Sequence, residues 1–338
     1  MTGLEVLPVP GLGEVTAGDD LAALIAGRFR LADGDIVVVS SKVVSKALGL
    51  RVAAASRDAS IAAESVRVVA RRATAHGLAQ IVQAKAGPVM AAAGVDTSNV
   101  AAGTALLLPA DPDGEARALL ARLRAGSGAK VGVVISDTAG RAWRDGQTDF
   151  ALGAAGVVVT EDLRGTADTF GQPMEVTIRA VADEIAAAAD LVKGKLSTVP
   201  VAVVRGLHAL VTSQDGPGSA SLLRPARDDW FRLGHVEAVR ASMGVDVPDV
   251  APPAIPASPV PERLARVLAV AQAGGIPGWP AAVHVVQDGF SARISTPDAL
   301  ALGAAAQRIT AAAWSEDLAV TVRPEGGEVL VVASAVLA

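Results

Sequence analysis

The sequence places acidic, hydroxyl and guanidinium side chains directly behind a buried apolar run, KVGVVIS. Asp137 and Thr138 stand where that run ends, so a carboxylate and a hydroxyl can reach a metal ion there. Arg141 and Arg144 follow, and guanidinium groups recognise phosphates or carboxylates bidentately. A stretch this polar after a buried strand favours a functional segment over a plain connecting loop.

A second candidate segment is AGVDTSN at residues 93–99. Asp96 and Asn99 add hard oxygen ligands, which suit Mg²⁺ or Mn²⁺ carrying a phosphate group. The same residue types form Asx turns routinely, so the segment can equally be a structural turn. Both interpretations are open from the sequence.

Two further segments have the chemistry of phosphate contacts. Ser41 and Lys46 follow the predicted strand Ile36–Val39, at the sheet edge where open α/β folds hold ligands; a solvated loop is the alternative. The glycines of GLGEV, residues 11–15, could let backbone N–H groups approach an anion. That segment lacks the third glycine of a dinucleotide fingerprint and the lysine of a P-loop, so on its own it favours a tight turn.

The remaining polar groups carry weaker signals. Asp183 and Glu184 begin a predicted helix that ends near Lys193, and an ordinary helix face explains them as well as a ligand site does. The four histidines show no ligand spacing.

Helical and strand patterns alternate along the first part of the chain, and these elements must position the candidate residues. The predicted helices are Asp19–Arg30, Ile61–Arg72, Glu115–Arg124 and Val181–Val192. The predicted strands are Ile36–Val39, Lys130–Ser136, Gly156–Thr160 and Val201–Val204. Because the strands are continuous β-branched runs, we expect both of their faces to be covered, as in an α/β fold.

A proline-rich stretch between Val245 and Pro261 divides the chain, because proline at this density favours an extended spacer. We predict a large unit over residues 1–245, a linker over 246–261 and a small α+β unit over 262–338. In the small unit the patterns predict helices at Pro261–Ala273 and Pro297–Ala313. They also predict strands at Val283–Val286, Leu318–Val322 and Val329–Val332, the last two joined by a hairpin turn.

Composition excludes several classes of protein. Hydrophobic residues make up 51% of the chain, which is enough for a sizeable core. The formal net charge of −5 speaks against nucleic-acid and anionic-membrane partners, and the absence of cysteine excludes thiolate chemistry. With no apolar run of spanning length and no leader-like N-terminus, we expect a soluble cytoplasmic protein.

Taken together, these segments resemble the coenzyme F420-0:L-glutamate ligase (gamma-glutamyl ligase) family. The matching stretches are LPVPGLGEV, GDIVVVSSKVVSK, AAAGVDTSNV, VVISDTAGRAWRDGQTDFALGAAG, VADEIAAAADLVKGK and PVAVVRG. They occur in family order over about residues 4–240. The resemblance implies an F420 gamma-glutamyl ligase-like α/β fold, an intertwined homodimer, and GTP-dependent addition of glutamate to coenzyme F420-0.

The resemblance also assigns roles to individual residues. GTP would contact Leu12, Gly13, Glu14, Val15, Ser41, Lys46 and Asn99. Of two divalent ions, Mg²⁺ or Mn²⁺, one would lie on Asp96 and Asp137 and the other on Thr138, with K⁺ as a further ion. Asp137, Lys46, Arg141 and Arg144 are the catalytic candidates.

Two features depart from the family pattern. Residues 262–338 do not resemble the nitroreductase-like domain that actinobacterial relatives often carry, and the stretch QIVQAKAGPVM lacks an arginine common there. The alternatives are another nucleotide-dependent acid–amine ligase, or a non-catalytic relative that binds F420 or nucleotide.

Overall fold

A computed structural model describes residues 3–75, 77–194, 197–242, 259–273, 283–285, 291–295, 298–316, 318–326 and 328–335. The chain divides into two compact units, Met1–Leu223 and Arg224–Ala338. This division comes earlier than the predicted boundary at residue 245. Most of the predicted linker, residues 246–258, lies outside the described residues, so the linker stays a prediction.

The first unit is a mixed α/β structure, as the sequence predicts. Its elements are β1 (Glu5–Pro8), α1 (Leu21–Ala26), β2 (Ile36–Ser40), α2 (Ser41–Ala47), β3 (Arg51–Ala53), α3 (Arg57–Ala63), β4 (Ser65–Thr74), β5 (Gly77–Ala84), β6 (Val89–Ala91), β7 (Thr104–Leu106), α4 (Pro112–Ser127), β8 (Gly132–Arg141), β9 (Arg144–Ala155), β10 (Glu161–Asp162), β11 (Ile178–Arg179), α5 (Val181–Lys193) and β12 (Val201–Arg205).

The central sheet has the strand order β1-β12-β2-β8-β9. Strands β2 and β8 run parallel, and the other neighbouring pairs are antiparallel. On one face Val37 and Val39 pack with α1 and α4, and on the other Ile36 and Val38 pack with α5. The prediction of strands covered on both faces is therefore confirmed.

Side chains at the helix ends explain where the flanking helices begin. The Asp20 carboxylate accepts a hydrogen bond from the Ala22 backbone N–H at 3.0 Å and so caps α1. Asp111 caps α4 in the same way, with Pro112 as its first residue. Helix α1 ends at Ala26, earlier than predicted, because Gly27 follows it.

The strand predicted at Gly156–Thr160 is wrong. Strand β9 ends at Ala155, Gly156 adopts a φ of +68°, and Val157 makes an isolated bridge to Val211. The polar first half of β9 instead pairs with β8. Hydrogen bonds to a neighbouring strand stabilise such a polar segment, and apolar periodicity cannot reveal them.

The helix predicted at Ile61–Arg72 is also wrong beyond its first turn. Helix α3 ends at Ala63, and the following residues form β4, which pairs with β5 in the sheet β4-β5-β6. The valines after Ser65 are β-branched and fit a strand, and tertiary pairing overrides the helical spacing.

The second unit contains α6 (His235–Ser242), α7 (Val260–Gln272), β13 (Val283–Val285), β14 (Ser291–Ser295), α8 (Ala299–Ser315), β15 (Leu318–Glu325) and β16 (Glu328–Ala335). Its antiparallel sheet has the order β13-β14-β16-β15, and α7 and α8 share its core. The predicted hairpin is confirmed as β15 and β16, while Pro297, the predicted start of α8, lies outside the described residues.

Candidate active site

A cleft of about 560 Å³ opens where the parallel pairing of β2 with β8 ends, at Ser40 and Ser136. This is the edge at which open α/β sheets bind ligands. The predicted site residues that line it are Gly13, Glu14, Val15, Lys46, Asp96, Asn99, Asp137 and Thr138. Four separate segments of the sequence therefore meet at one site.

Asp137 lies on β8 just past its pairing with β2, and Ser41 begins α2 directly after β2. The Ser41 hydroxyl donates a hydrogen bond to Asp137 Oδ1 at 2.9 Å. Burial raises the pKa of Asp137 to about 6, against the lowering effect of the Ser41 and Thr138 hydrogen bonds. The negative charges of Asp149 and Asp96 raise the pKa further, so a cation in the cleft would stabilise the ionised Asp137 carboxylate.

Asp96 faces the same cleft, held by Lys42 and Ser98. The Lys42 ammonium group lies 2.8 Å from Asp96 Oδ2, and the Ser98 backbone N–H donates to Oδ1 at 2.7 Å. Burial opposes ionisation, but the contacts with Lys42 and Ser98 outweigh it and lower the pKa of Asp96. The hydrogen bond from the Ser98 N–H closes an Asx turn at Asp96. The turn that the sequence allows is therefore present, and it lies in a segment that also faces the cleft.

The backbone around Asp96 is tightly constrained. Ala92, Ala93 and Asn99 have φ values of 52–54°, a region that non-glycine residues seldom occupy. Gly94 has a φ of +71°, and a Cβ atom there would lie 2.3 Å from Leu108 Cδ1. Glycine is therefore required at position 94 for the turn that carries Asp96.

Lys46 and the glycine segment form another wall of the cleft. The Lys46 side chain is 7% exposed, and its Nζ donates to Glu14 Oε1 at 2.7 Å. Gly11 and Gly13 both have positive φ values, as the predicted turn requires. Leu12 packs into the core, so its side chain anchors this turn and does not line the cleft.

Two of the predicted catalytic residues lie elsewhere. Arg141 ends β8 and Arg144 begins β9, and both are exposed at the tip of this hairpin. Between them Trp143 is 88% exposed with a φ of 63°. The hairpin therefore does not bring either guanidinium group to the cleft lining, and their catalytic role stays a prediction.

No role was predicted from the sequence for Asp149, although Thr138, one of its partners, is a predicted metal ligand. Asp149 lies opposite Thr138 in the β8–β9 ladder and accepts a hydrogen bond from Thr138 Oγ1 at 2.7 Å. Lys193, at the end of α5, lies 2.6 Å from Asp149 Oδ2. The signal that could have revealed this pair is the hairpin register, because Asp149 shares a face with Thr138 only once β9 is recognised.

The donor atoms of the cleft fit divalent cations that share their coordination with a bound ligand. Asp96, Asp137 and Thr138 supply two carboxylates and a hydroxyl, which are hard oxygen donors. In the described part of the chain, no group of three or more His, Cys, Asp or Glu side chains is arranged to hold a metal ion. Such a partial set is typical of Mg²⁺ sites completed by water and substrate phosphates.

The chain is similar to known proteins of one family. Residues 11–206 match the model of the F420-0:Gamma-glutamyl ligase family. The coenzyme F420:L-glutamate ligase of Archaeoglobus fulgidus is 43% identical over 245 residues, or 68% of this chain and 96% of that protein. The proteins of the same name from Methanopyrus kandleri and Halobacterium salinarum are 38% and 39% identical, over 68% of this chain and 98% and 96% of their own. No helix that the structure describes has the length and hydrophobicity needed to cross a bilayer.

Proposed function

Because the chain belongs to the F420-0:gamma-glutamyl ligase family, we propose that it ligates L-glutamate to coenzyme F420-0 and then adds further γ-linked glutamates. GTP is the co-substrate. The observation that carries this proposal is the cleft in which Lys46, Asp96, Asp137 and Thr138 meet. It combines a cation for phosphate with oxygen donors for a metal, as phosphoryl transfer requires.

The reaction has two steps. The lactyl carboxylate of the precursor attacks the γ-phosphorus of GTP, so that GDP leaves and an acyl phosphate forms. The glutamate amine, after losing a proton, then attacks the acyl carbon, an amide bond forms and phosphate leaves. Activation comes first because a free carboxylate has no adequate leaving group for an amine to displace.

The chain's own residues act by positioning and by charge. Lys46 forms an ion pair with Glu14. Its ammonium group would contact a nucleotide phosphate beside the backbone of residues 12–15. Ser41 holds Asp137, and Lys42 holds Asp96. Of two divalent ions, Mg²⁺ or Mn²⁺, one would be held by Asp96 and Asp137 and the other by Thr138. K⁺ would be an additional ion. When bound, they neutralise the charge of the phosphoryl group.

We further propose that the protein acts as a homodimer formed through its first unit. The described part of the sheet β4-β5-β6 exposes large apolar side chains, namely Val66, Leu78, Ile81 and Val89. Exposed apolar groups of this kind favour association. Light scattering of the full chain at micromolar concentration should give about twice its monomer mass, and a monomer would contradict the proposal.

The function is tested with purified full-length protein, F420-0, L-glutamate, GTP and Mn²⁺, with product masses as the readout. Products carrying one or more added glutamates are expected, and they should disappear when GTP is replaced by GDP. Heavy oxygen placed in the precursor carboxylate should appear in the released phosphate, because that oxygen bridges carbon and phosphorus in the acyl phosphate. Ligation of a different acid with F420-0 left unchanged would favour the alternative acid–amine ligase.

A further inference from the structure

At the wall of the cleft, Asp149 lies at the centre of a compact polar cluster. Its Oδ1 accepts a hydrogen bond from Thr138 Oγ1 at 2.7 Å, and its Oδ2 accepts one from Ser136 Oγ at 2.8 Å. The Lys193 ammonium group donates to Oδ2 at 2.6 Å and also to Ser136 Oγ. The side chains of Asp149 and Lys193 are 4% and 5% exposed, so both charges are almost fully withdrawn from solvent.

A buried ion pair of this kind is poorly explained by fold stability. Removing two charges from water costs several kcal/mol per ion in general, and an apolar pair of similar size is often as stable. The pair also borders the cleft and lies beside Thr138, not within either apolar core of the central sheet. This location suggests that its role concerns the cleft.

The hydroxyl of Thr138 explains what the pair can do. A hydroxyl has one proton and two lone pairs, and it can offer a lone pair to a cation only when the proton points elsewhere. Asp149 Oδ1 accepts that proton, which leaves the lone pairs of Thr138 available to the cleft. The Lys193 ammonium group lies 2.6 Å from Asp149 Oδ2, so it holds the Asp149 carboxylate in place and compensates its charge within the cluster.

We propose that Asp149, held by Lys193, is a positioning residue that orients the Thr138 hydroxyl toward a divalent cation. The inference rests on the proposed function, because it assumes that Thr138 contacts a metal ion. Asp149 acts through Thr138 and does not itself contact the ion. Outer partners of this type commonly change metal affinity by roughly 10–100-fold when they are replaced.

The test is Mn²⁺ binding to the full chain, measured by the electron paramagnetic resonance signal of free Mn²⁺ with and without GDP. Asp149→Asn keeps the size of the side chain but replaces one of the two acceptor oxygens with an NH₂ group. The single remaining oxygen cannot accept from Thr138 on one side and from Ser136 and Lys193 on the other. We expect the Mn²⁺ Kd to rise roughly 10-fold in Asp149→Asn and in Thr138→Val. The Mn²⁺ Kd of the double variant should not exceed the higher of the two single-variant Kd values, because both changes remove the same oriented lone pair.

Two controls separate orientation from general damage. Thr138→Ser keeps the hydroxyl and should bind Mn²⁺ within about 3-fold of the wild type, given the size of the effect expected for a lost outer partner. Asp113→Asn alters another buried carboxylate, outside the cleft lining, and should leave the Kd unchanged even where it lowers stability. If Asp149→Asn does not fold, Lys193→Gln replaces it in the double-mutant cycle with Thr138→Val. We then expect a smaller rise in the Mn²⁺ Kd, which should again be non-additive with the effect of Thr138→Val.

The outcomes are distinguishable. An unchanged Kd in Asp149→Asn, or fully additive losses in the double variant, would overturn the inference and leave the proposed function intact. If the wild type binds no Mn²⁺ with or without GDP, the metal assignment of the proposed function fails, and the inference fails with it.

Discussion

Asp113 and Asp137 are both carboxylates of the first unit, and their surroundings differ sharply. Asp113, in the first turn of α4, accepts four hydrogen bonds, from the Ala154 N–H, the Ser219 N–H and hydroxyl, and the Ala220 N–H. Asp137 accepts its bonds from the Ser41 hydroxyl and the Thr138 backbone, while Asp149 and Asp96 repel its charge. The first carboxylate is saturated by the fold and the second is not.

The difference shows how one chain uses the same side chain for two purposes. The donors to Asp113 lie in β9 and in the turn at Ser219–Leu222, so this carboxylate links both of them to α4. Its negative charge is satisfied by hydrogen bonds within the protein. Asp137 lies at the cleft with its pKa raised to about 6, so its ionised form is costly when no cation is bound beside it. Perturbed carboxylates of this kind cluster at functional sites.

The largest effect is expected for Asp137→Asn. We expect ligation to fall by at least about 100-fold at saturating Mn²⁺, because a neutral amide replaces a charged ligand. The rate of glutamate addition, read by product mass, gives the measurement, and circular dichroism checks the fold. Near wild-type turnover would show that Asp137 is not a metal ligand.

Asp113→Asn should have the opposite phenotype. One of its oxygens becomes an NH₂ group that faces backbone N–H donors, so we expect a loss of roughly 2–3 kcal/mol in the free energy of unfolding. Urea unfolding measures this loss. Ligation per folded molecule should match that of the wild type, and a selective loss of activity would place Asp113 in the active site.

The positions of several cleft residues could be predicted from the sequence, because these polar residues follow buried apolar runs directly. Ser41 and Lys46 lie in the helix after β2, and Asp137 and Thr138 follow the last residue of β8 that pairs with β2. The strand predicted to end at Ser136 continues to Arg141, because its polar second half pairs with β9. Asp96 also lines the cleft, although it comes from a turn far along the chain from both strands, and its role as a metal ligand stays a prediction.

The errors have a physical reason. The ladder between β8 and β9 joins residues that hydrophobic periodicity cannot pair. Neither a role for Asp149 nor the exposed position of Arg141 and Arg144 at the hairpin tip could therefore be predicted. Strand β4 was missed for the same reason, since its pairing with β5 overrides local helical spacing. The register of paired strands and the hydrogen-bond donors around a carboxylate both depend on tertiary structure, so local sequence patterns do not reveal them.

A finer test of the comparison is the stability of metal-free Asp137→Asn. Because burial raises the folded-state pKa of Asp137, the ionised wild type loses stability as pH rises from its ordinary pKa through about 6. At about pH 8 with chelator present, the variant should therefore be more stable by about 1 kcal/mol, or roughly 2–4 °C in Tm. The advantage should vanish near pH 4, and an advantage that grows on acidification would contradict the raised pKa.

The smallest effect is expected at Asp183, which is intermediate between the two carboxylates. It is half-buried in the first turn of α5, and Oδ1 accepts a hydrogen bond from the Ala151 N–H at 2.9 Å. Burial raises its pKa, and the Ala151 bond only partly opposes this. Asp183→Asn keeps the acceptor oxygen but loses a charge that is favourable at a helix N-terminus.

These opposing contributions should leave the variant within about 0.5 kcal/mol of the wild type at neutral pH. On acidification the wild type should gain stability relative to Asp183→Asn, because the raised pKa favours the protonated carboxyl in the folded state. Urea unfolding of both proteins across the acidic range measures that difference. If the wild type instead lost stability relative to the variant as pH fell, the Ala151 hydrogen bond would outweigh burial, and Asp183 would belong with the saturated carboxylates such as Asp113.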